Sequence, residues 1–186
     1  MTWVAFIKKN IAWVVLAIVL IGYGFLIADN FLTRPYLWLD EGFKMQLGRN
    51  FAEFGKIGIQ FLPGEVSYSI HNASTGWVLP ASLAVFFKIF GTDFFIGRLV
   101  ASLYLLGFVA FSYLFLWRVW GVREAILGIL LLISFSPLYA NGKMILAEGP
   151  SLFYLTAALY SYYFFKPETK WNAVLSGLLF GLFAAG

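Results

Sequence analysis

Charged positions cut the chain into long apolar stretches. Five uncharged runs, 11–28, 99–117, 125–142, 149–165 and 171–186, approach the length of a membrane-crossing helix, since ~20 residues rising ~1.5 Å each traverse the hydrocarbon core. A sixth run, 77–87, is cut short by Lys88. It is too short to span comfortably and predicts a helix lying at the interface. Between the first two runs, Phe43, Leu47, Phe51 and Phe54 recur at helical spacing, with Lys44, Arg49, Asn50 and Glu53 over the remaining surface. That pattern predicts an amphipathic helix over 41–54, lying in the membrane plane with its apolar face down and ended by Gly55 and Gly58. Leu62-Pro63-Gly64 marks a turn, and 67–76 is polar.

Composition agrees with a lipid solvent. The chain is 61% hydrophobic and 12% charged, with a mean hydropathy of +0.83, where a soluble domain carries about 45–50% and about 25%. The expected fold is therefore an all-α polytopic membrane protein: five spanning helices plus interfacial helices in a long first external loop, 29–95. Lys8 and Lys9 precede an 11–28 run too long for a cleaved signal, which reads as an uncleaved anchor. The last run reaches Gly186 without a polar flank, so 1–186 is expected to be the N-terminal part of a longer polytopic domain.

Charge orients the chain. If 77–87 does not cross, Lys8, Lys9, Arg118, Arg123, Lys166 and Lys170 share one side, which the positive-inside rule makes the cytoplasm. Asp29, Asp40, Glu41, Glu53, Glu65, Asp93 and Glu148 then lie outside. If 77–87 crosses, the basic loops after it move outside, against that rule. The net charge of +4 suits loop charges and lipid phosphates rather than nucleic acid, because no basic run could track a polynucleotide. There is no cysteine, which excludes disulfides and thiolate chemistry.

Few groups remain for chemistry. Asp40 and Glu41 adjoin in "PYLWLDEGF". Asp40 can cap the helix that starts near Glu41, and Glu41 suits its positive end. A carboxylate partly desolvated by Trp38 and Phe43 can also act as general base toward an acceptor hydroxyl. Glu148, in "MILAEGPSLF" before Pro150, can be a first-turn acid or a functional acid at the membrane surface. Asp40 and Glu148 share a face under this topology and could ligate a divalent cation. Lys143 is either a snorkelling side chain or a phosphate contact, with Arg49 and Arg98 as weaker candidates for that contact. His71 is a loop residue, a metal ligand or an acceptor-site group. Asn72-Ala73-Ser74 spells a glycosylation sequon.

The succession of "LDEGF", "GRNFAEFGKIG", "STGWVLPASLAVFFKIFGTDFFIGRLVASL", "WRVWGVREA" and "MILAEGPSLFYLTAALY" resembles the N-terminal part of membrane-embedded GT-C glycosyltransferases. The similarity covers nearly the whole chain. It is to the dolichyl-phosphate-mannose protein mannosyltransferase type and its bacterial kin, including the lipid A aminoarabinose transferases. The resemblance implies about a dozen spanning helices, an extracytoplasmic active site, a polyprenyl-phosphate sugar donor and inversion at the anomeric centre. It matches Asp40, followed by Glu41, to the family's first-loop acid, and Glu148 to its second acid. The aminoarabinose branch carries aspartate-proline where this chain has Glu148-Gly149-Pro150, and an acid-lysine-proline stretch where it has 71–76. Those departures bear on metal use and branch membership. The expected activity is glycosyl transfer to a lipid, glycan or protein acceptor in a plasma membrane, bacterial or archaeal rather than of the endoplasmic reticulum. A transporter or flippase subunit and a non-catalytic membrane scaffold are the alternatives. A transporter would place acids inside the runs, which lack them.

Overall fold

The structure, a computed structural model, describes residues 3–67, 76–164 and 170–185, with side chains from residue 10 onward. Its helices are α1 (Trp3–Ala28), α2 (Leu39–Phe54), α3 (Val78–Phe90), α4 (Phe94–Trp120), α5 (Val122–Ser134), α6 (Ser136–Asn141), α7 (Glu148–Phe164) and α8 (Lys170–Ala184). Strands β1 (Ile59–Leu62) and β2 (Glu65–Ser67) form an antiparallel hairpin around the expected turn. His71 and the sequon at 72–74 lie outside the described residues.

Local chemistry sets the boundaries. Asp93 caps α4 by accepting the Phe95 N–H at 2.7 Å. Gly55, at φ 67°, takes the left-handed conformation that ends α2, and its N–H donates to the Phe51 carbonyl. The apolar run 125–142 does not make one helix. It breaks at Phe135, because Pro137 has no N–H to continue the ladder of α5.

Contacts fix which ends meet. Tyr113 Oη donates to the Ala12 carbonyl at 3.0 Å, and the Trp13 and Trp117 rings meet edge-on at 5.5 Å. The start of α1 therefore lies beside the end of α4. Arg118 stands over the Phe164 ring at 5.9 Å, so α7 finishes at that end too. At the other end, the backbone of 27–35 meets the start of α4 and the link into α7. The Trp77 N–H also donates to the Ala185 carbonyl at 3.2 Å, joining the end of α8 to the start of α3.

Two cores result. Leu16, Tyr23 and Ile27 of α1 pack with Leu105, Phe108 and Val109 of α4 and with Ala125 and Ile129 of α5. Leu79, Leu83 and Phe87 of α3 pack with Val100 and Ile145. Helices α4 and α7 join through aromatic rings: Tyr104 and Phe111 each flank Phe153, at 5.5 and 5.6 Å, and Phe115 meets Tyr163 at 5.6 Å. Elsewhere large apolar side chains face outward, such as Phe25, Trp171 and Leu178. That is the surface expected of a chain solvated by lipid.

Two helices, residues Asn10–Ala28 and Phe94–Trp120, are long and apolar enough to cross a membrane. The other runs of the expected five are helical but shorter within the described residues: α7 has 17 residues and α8 has 15. Helix α3 has 13 residues. Its length of ~20 Å falls short of the ~30 Å hydrocarbon core, as its sequence indicated.

Helix α2 leaves the aromatic part of its apolar stripe unpacked, the orientation expected of a face turned to lipid, and buries Leu47 of that stripe. Its buried residues are Glu41, Lys44, Leu47, Gly48 and Asn50, whereas Phe43 and Phe54 are exposed. The face turned inward joins Leu47 to polar and small residues. Gly48 explains part of this, because a Cβ there would lie 2.5 Å from Leu83 Cβ of α3. Asn50 adds another part by donating to the Gly58 carbonyl at 2.7 Å.

Candidate active site

The start of α2 sets the site. Trp38 is the extended N-cap residue, so Asp40 is already inside the first turn rather than capping it. Glu41, one residue on, turns inward and accepts the Trp38 N–H at 3.2 Å. Successive helical positions diverge by about 100°. Asp40 consequently faces outward, where it accepts from the Trp38 indole N–H at 3.2 Å.

Glu41 and Arg98 are both fully buried. Arg98 Nε donates to Glu41 Oε1 at 3.1 Å, and Nη2 to Oε2 at 3.0 Å. The same guanidinium donates to the Phe31 and Pro35 carbonyls, both at 2.8 Å, and stacks over Phe94 at 4.6 Å. Glu41 Oε1 also accepts the Ile145 N–H at 3.1 Å. One ion pair thus ties the loop after α1, the starts of α2 and α4, and the link before α7. Gly97 makes room for it: a Cβ there would lie 2.5 Å from Ile145 Cδ1 and 2.6 Å from Met45 Sδ.

Lys143 has a comparable internal task. It is 4% exposed, and Nζ donates to the Ile27 and Asp29 carbonyls at 3.1 and 2.6 Å. These are carbonyls left over at the end of α1, which a lysine commonly satisfies. Burial lowers its pKa, the nearby Arg98 lowers it further, and Asp29 opposes them. Arg98 and Lys143 were both expected to meet a substrate phosphate. Their donors are instead engaged with Glu41 and backbone carbonyls. Arg49, the third such candidate, pairs with Glu53 at 2.9 Å on an exposed surface.

The hub leaves Asp40 and Glu148 exposed in front of it. Glu148 opens α7, three residues after Ile145, whose N–H Glu41 holds. A further charged residue, Lys44, expected on the solvated surface of α2, is instead buried at this end. It is 7% exposed and lies within electrostatic reach of both Asp40 and Glu148. Burial lowers its pKa, and the two carboxylates pull it back up, Asp40 more than Glu148. The Asp40–Lys44 spacing of one helical turn was visible in the sequence; the approach of Glu148 was not. Among the described residues no three His, Asp or Glu side chains converge as metal ligands.

Two apolar grooves border this end. One, of about 370 Å³, runs between α3, α4 and α7 and is lined by Ser82, Phe86, Val100, Leu103, Tyr104 and Phe153. It passes near Gly149, where an added Cβ would lie 3.9 Å from Tyr104 Cβ. The other, of about 350 Å³, lies between α1 and α4.

Among known families, the model for dolichyl-phosphate-mannose-protein mannosyltransferase matches residues 44–186. The match takes in Lys44, Arg98, Lys143 and Glu148; Asp40 and Glu41 lie just before it. No curated protein and no solved structure matches the chain.

Proposed function

Because the chain belongs to the dolichyl-phosphate-mannose-protein mannosyltransferase family, we propose that it is an inverting GT-C glycosyltransferase that moves a sugar from a polyprenyl-phosphate carrier to an acceptor hydroxyl. Family membership makes it a membrane glycosyltransferase acting on a lipid-linked sugar. The donor, stereochemistry and orientation belong to the proposal, as do five crossings with the N-terminus in the cytoplasm.

The observation that carries the reading is the outward Asp40 beside a fully buried Glu41 locked to Arg98. A base must be exposed to the acceptor yet held rigidly. Asp40 meets both needs, because the next residue anchors its helix turn. Asp40 takes the proton of the acceptor hydroxyl as that oxygen bonds to the anomeric carbon. The bond from that carbon to the phosphate oxygen breaks, and polyprenyl phosphate departs with the electron pair. Attack opposite the leaving group inverts the centre. Glu148 orients the sugar by accepting from its hydroxyls. The polyprenyl chain lies along the groove between α3, α4 and α7, which leads away from Glu148 between apolar walls. The buried charges counter the transporter reading: Arg98 and Glu41 pair at the start of helices, not midway along a span.

The test is transfer by Asp40→Asn in membranes supplied with polyprenyl-phosphate sugars and mixed acceptors. Loss of a base of this kind costs about 10²–10⁴-fold. The expected result is a loss in that range with unchanged membrane insertion. Activity near that of the unaltered protein would remove Asp40 as base.

A further inference from the structure

We propose that the groove between α1 and α4 binds a membrane phospholipid, one of whose ester carbonyls accepts a hydrogen bond from Ser102. The inference is independent of the transferase reading and concerns a groove that the proposed chemistry does not use.

Three observations carry it. The first is an unsatisfied hydroxyl. Ser102 is 4% exposed and lines the groove, yet its Oγ has no hydrogen-bond partner among the described residues. Other helical hydroxyls of this chain behave differently: Ser82, Ser151, Thr156 and Ser161 each donate to a carbonyl three or four residues back. A buried hydroxyl without a partner costs free energy, and hydrocarbon brings no water to relieve it. An acceptor that enters along the groove does relieve it. The second is the wall. Gly24, Ile27, Phe31, Phe95 and Leu99 line a trough of about 350 Å³ whose other side chains are apolar. Such walls take a hydrocarbon chain and leave Ser102 to fix one polar group on it. The third is depth. Arg98 stands level with the charged hub and the loop after α1, and Ser102 lies one turn deeper along α4, ~6 Å on. With ~30 Å of hydrocarbon inside ~40–45 Å of bilayer, the headgroup layer of each leaflet is about 5–8 Å thick. A hub in that layer puts Ser102 at its inner edge, where ester groups join headgroup to acyl chain. A polyprenyl phosphate has no carbonyl to offer there, so the hydroxyl selects an ester lipid. The occupant also packs against Phe31, whose carbonyl Arg98 holds at 2.8 Å, and so buttresses the loop that leads to α2.

Native mass spectrometry of the intact protein released from detergent tests this, by titration with a diacyl phosphatidylglycerol and with its dialkyl ether counterpart, which lacks the carbonyls. The unaltered protein is expected to bind the ester lipid ~3–10-fold more tightly, the scale of one hydrogen bond. Ser102→Ala removes only the hydroxyl and favours the helix; it is expected to bind both lipids alike. Gly24→Leu fills the trough at a point where an added Cβ meets nothing within 4 Å, and is expected to lose tight binding of both. Gly22→Leu, equally open but outside the groove, is expected to match the unaltered protein, which also shows that a leucine on α1 leaves the fold intact. The proposal is overturned if the unaltered protein does not distinguish ester from ether, if Ser102→Ala keeps the preference, or if Gly24→Leu binds as Gly22→Leu does. Displacement of the ester lipid by equimolar polyprenyl phosphate would overturn it too, by assigning the groove to the isoprenoid carrier.

Discussion

Arg98 and Glu41 can be buried completely only because each satisfies the other. An isolated buried charge costs several kcal/mol, and removing one partner of such a pair typically costs about 3–5 kcal/mol. Arg98→Met should therefore lower stability by about that amount, measured as chemical unfolding in detergent. A change below ~1 kcal/mol would show that the pair is not the hub described. Lys143 satisfies neutral carbonyls rather than a carboxylate, so its removal belongs lower on the scale. At this scale the sequence was only half legible. The adjacency of Asp40 and Glu41 advertised an acidic site, and Glu148 stood out among apolar neighbours. Their division of labour was not readable, since it depends on where α2 begins. Starting the helix after Trp38 sends Glu41 inward and Asp40 outward. The partners of Arg98 and Lys143 were unreadable for a related reason: they are backbone carbonyls and a carboxylate far away in sequence.

Helix α2 shows how a pattern can locate an element and still leave its packed face unread. The apolar spacing of 43, 47, 51 and 54 marked a helix with nearly the observed ends. It turned the aromatic stripe toward lipid and left the packed face unassigned. In lipid, a phenylalanine loses nothing by facing outward, so hydrophobicity no longer identifies the interior. Small and polar residues mark the contact instead, and Gly48 is the one that permits it. Gly48→Ala places a methyl group 2.5 Å from Leu83 Cβ and should destabilise by about 1–3 kcal/mol through overpacking. Gly42→Ala, where an added Cβ meets nothing within 4 Å, should be neutral or stabilise by up to ~1 kcal/mol. Thermal unfolding of both variants in one detergent checks the pair. Equal melting temperatures would contradict the close approach of α2 and α3. The break between α5 and α6 was legible at Pro137 yet hidden by the unbroken apolar run.

At the scale of the molecule, lipid solubility and helical class followed from charge spacing alone. The gathering of distant segments at one end did not. The antiparallel contacts place Ala12, Trp117, Arg118 and Phe164 toward one end, and Asp29, Asp40, Arg98, Lys143 and Glu148 toward the other. Under the proposed topology the first end faces the cytoplasm and the second faces out. The packing puts the acidic residues and the buried ion pair at the same end. The absence of native cysteine makes that arrangement directly testable. Single cysteines at positions 40, 148 and 123 would be labelled with an impermeant maleimide in sealed, right-side-out vesicles. Positions 40 and 148 should both react from outside, and position 123 only after permeabilisation. Reaction of 40 and 148 from opposite sides of the membrane would contradict a shared site and the transfer chemistry built on it.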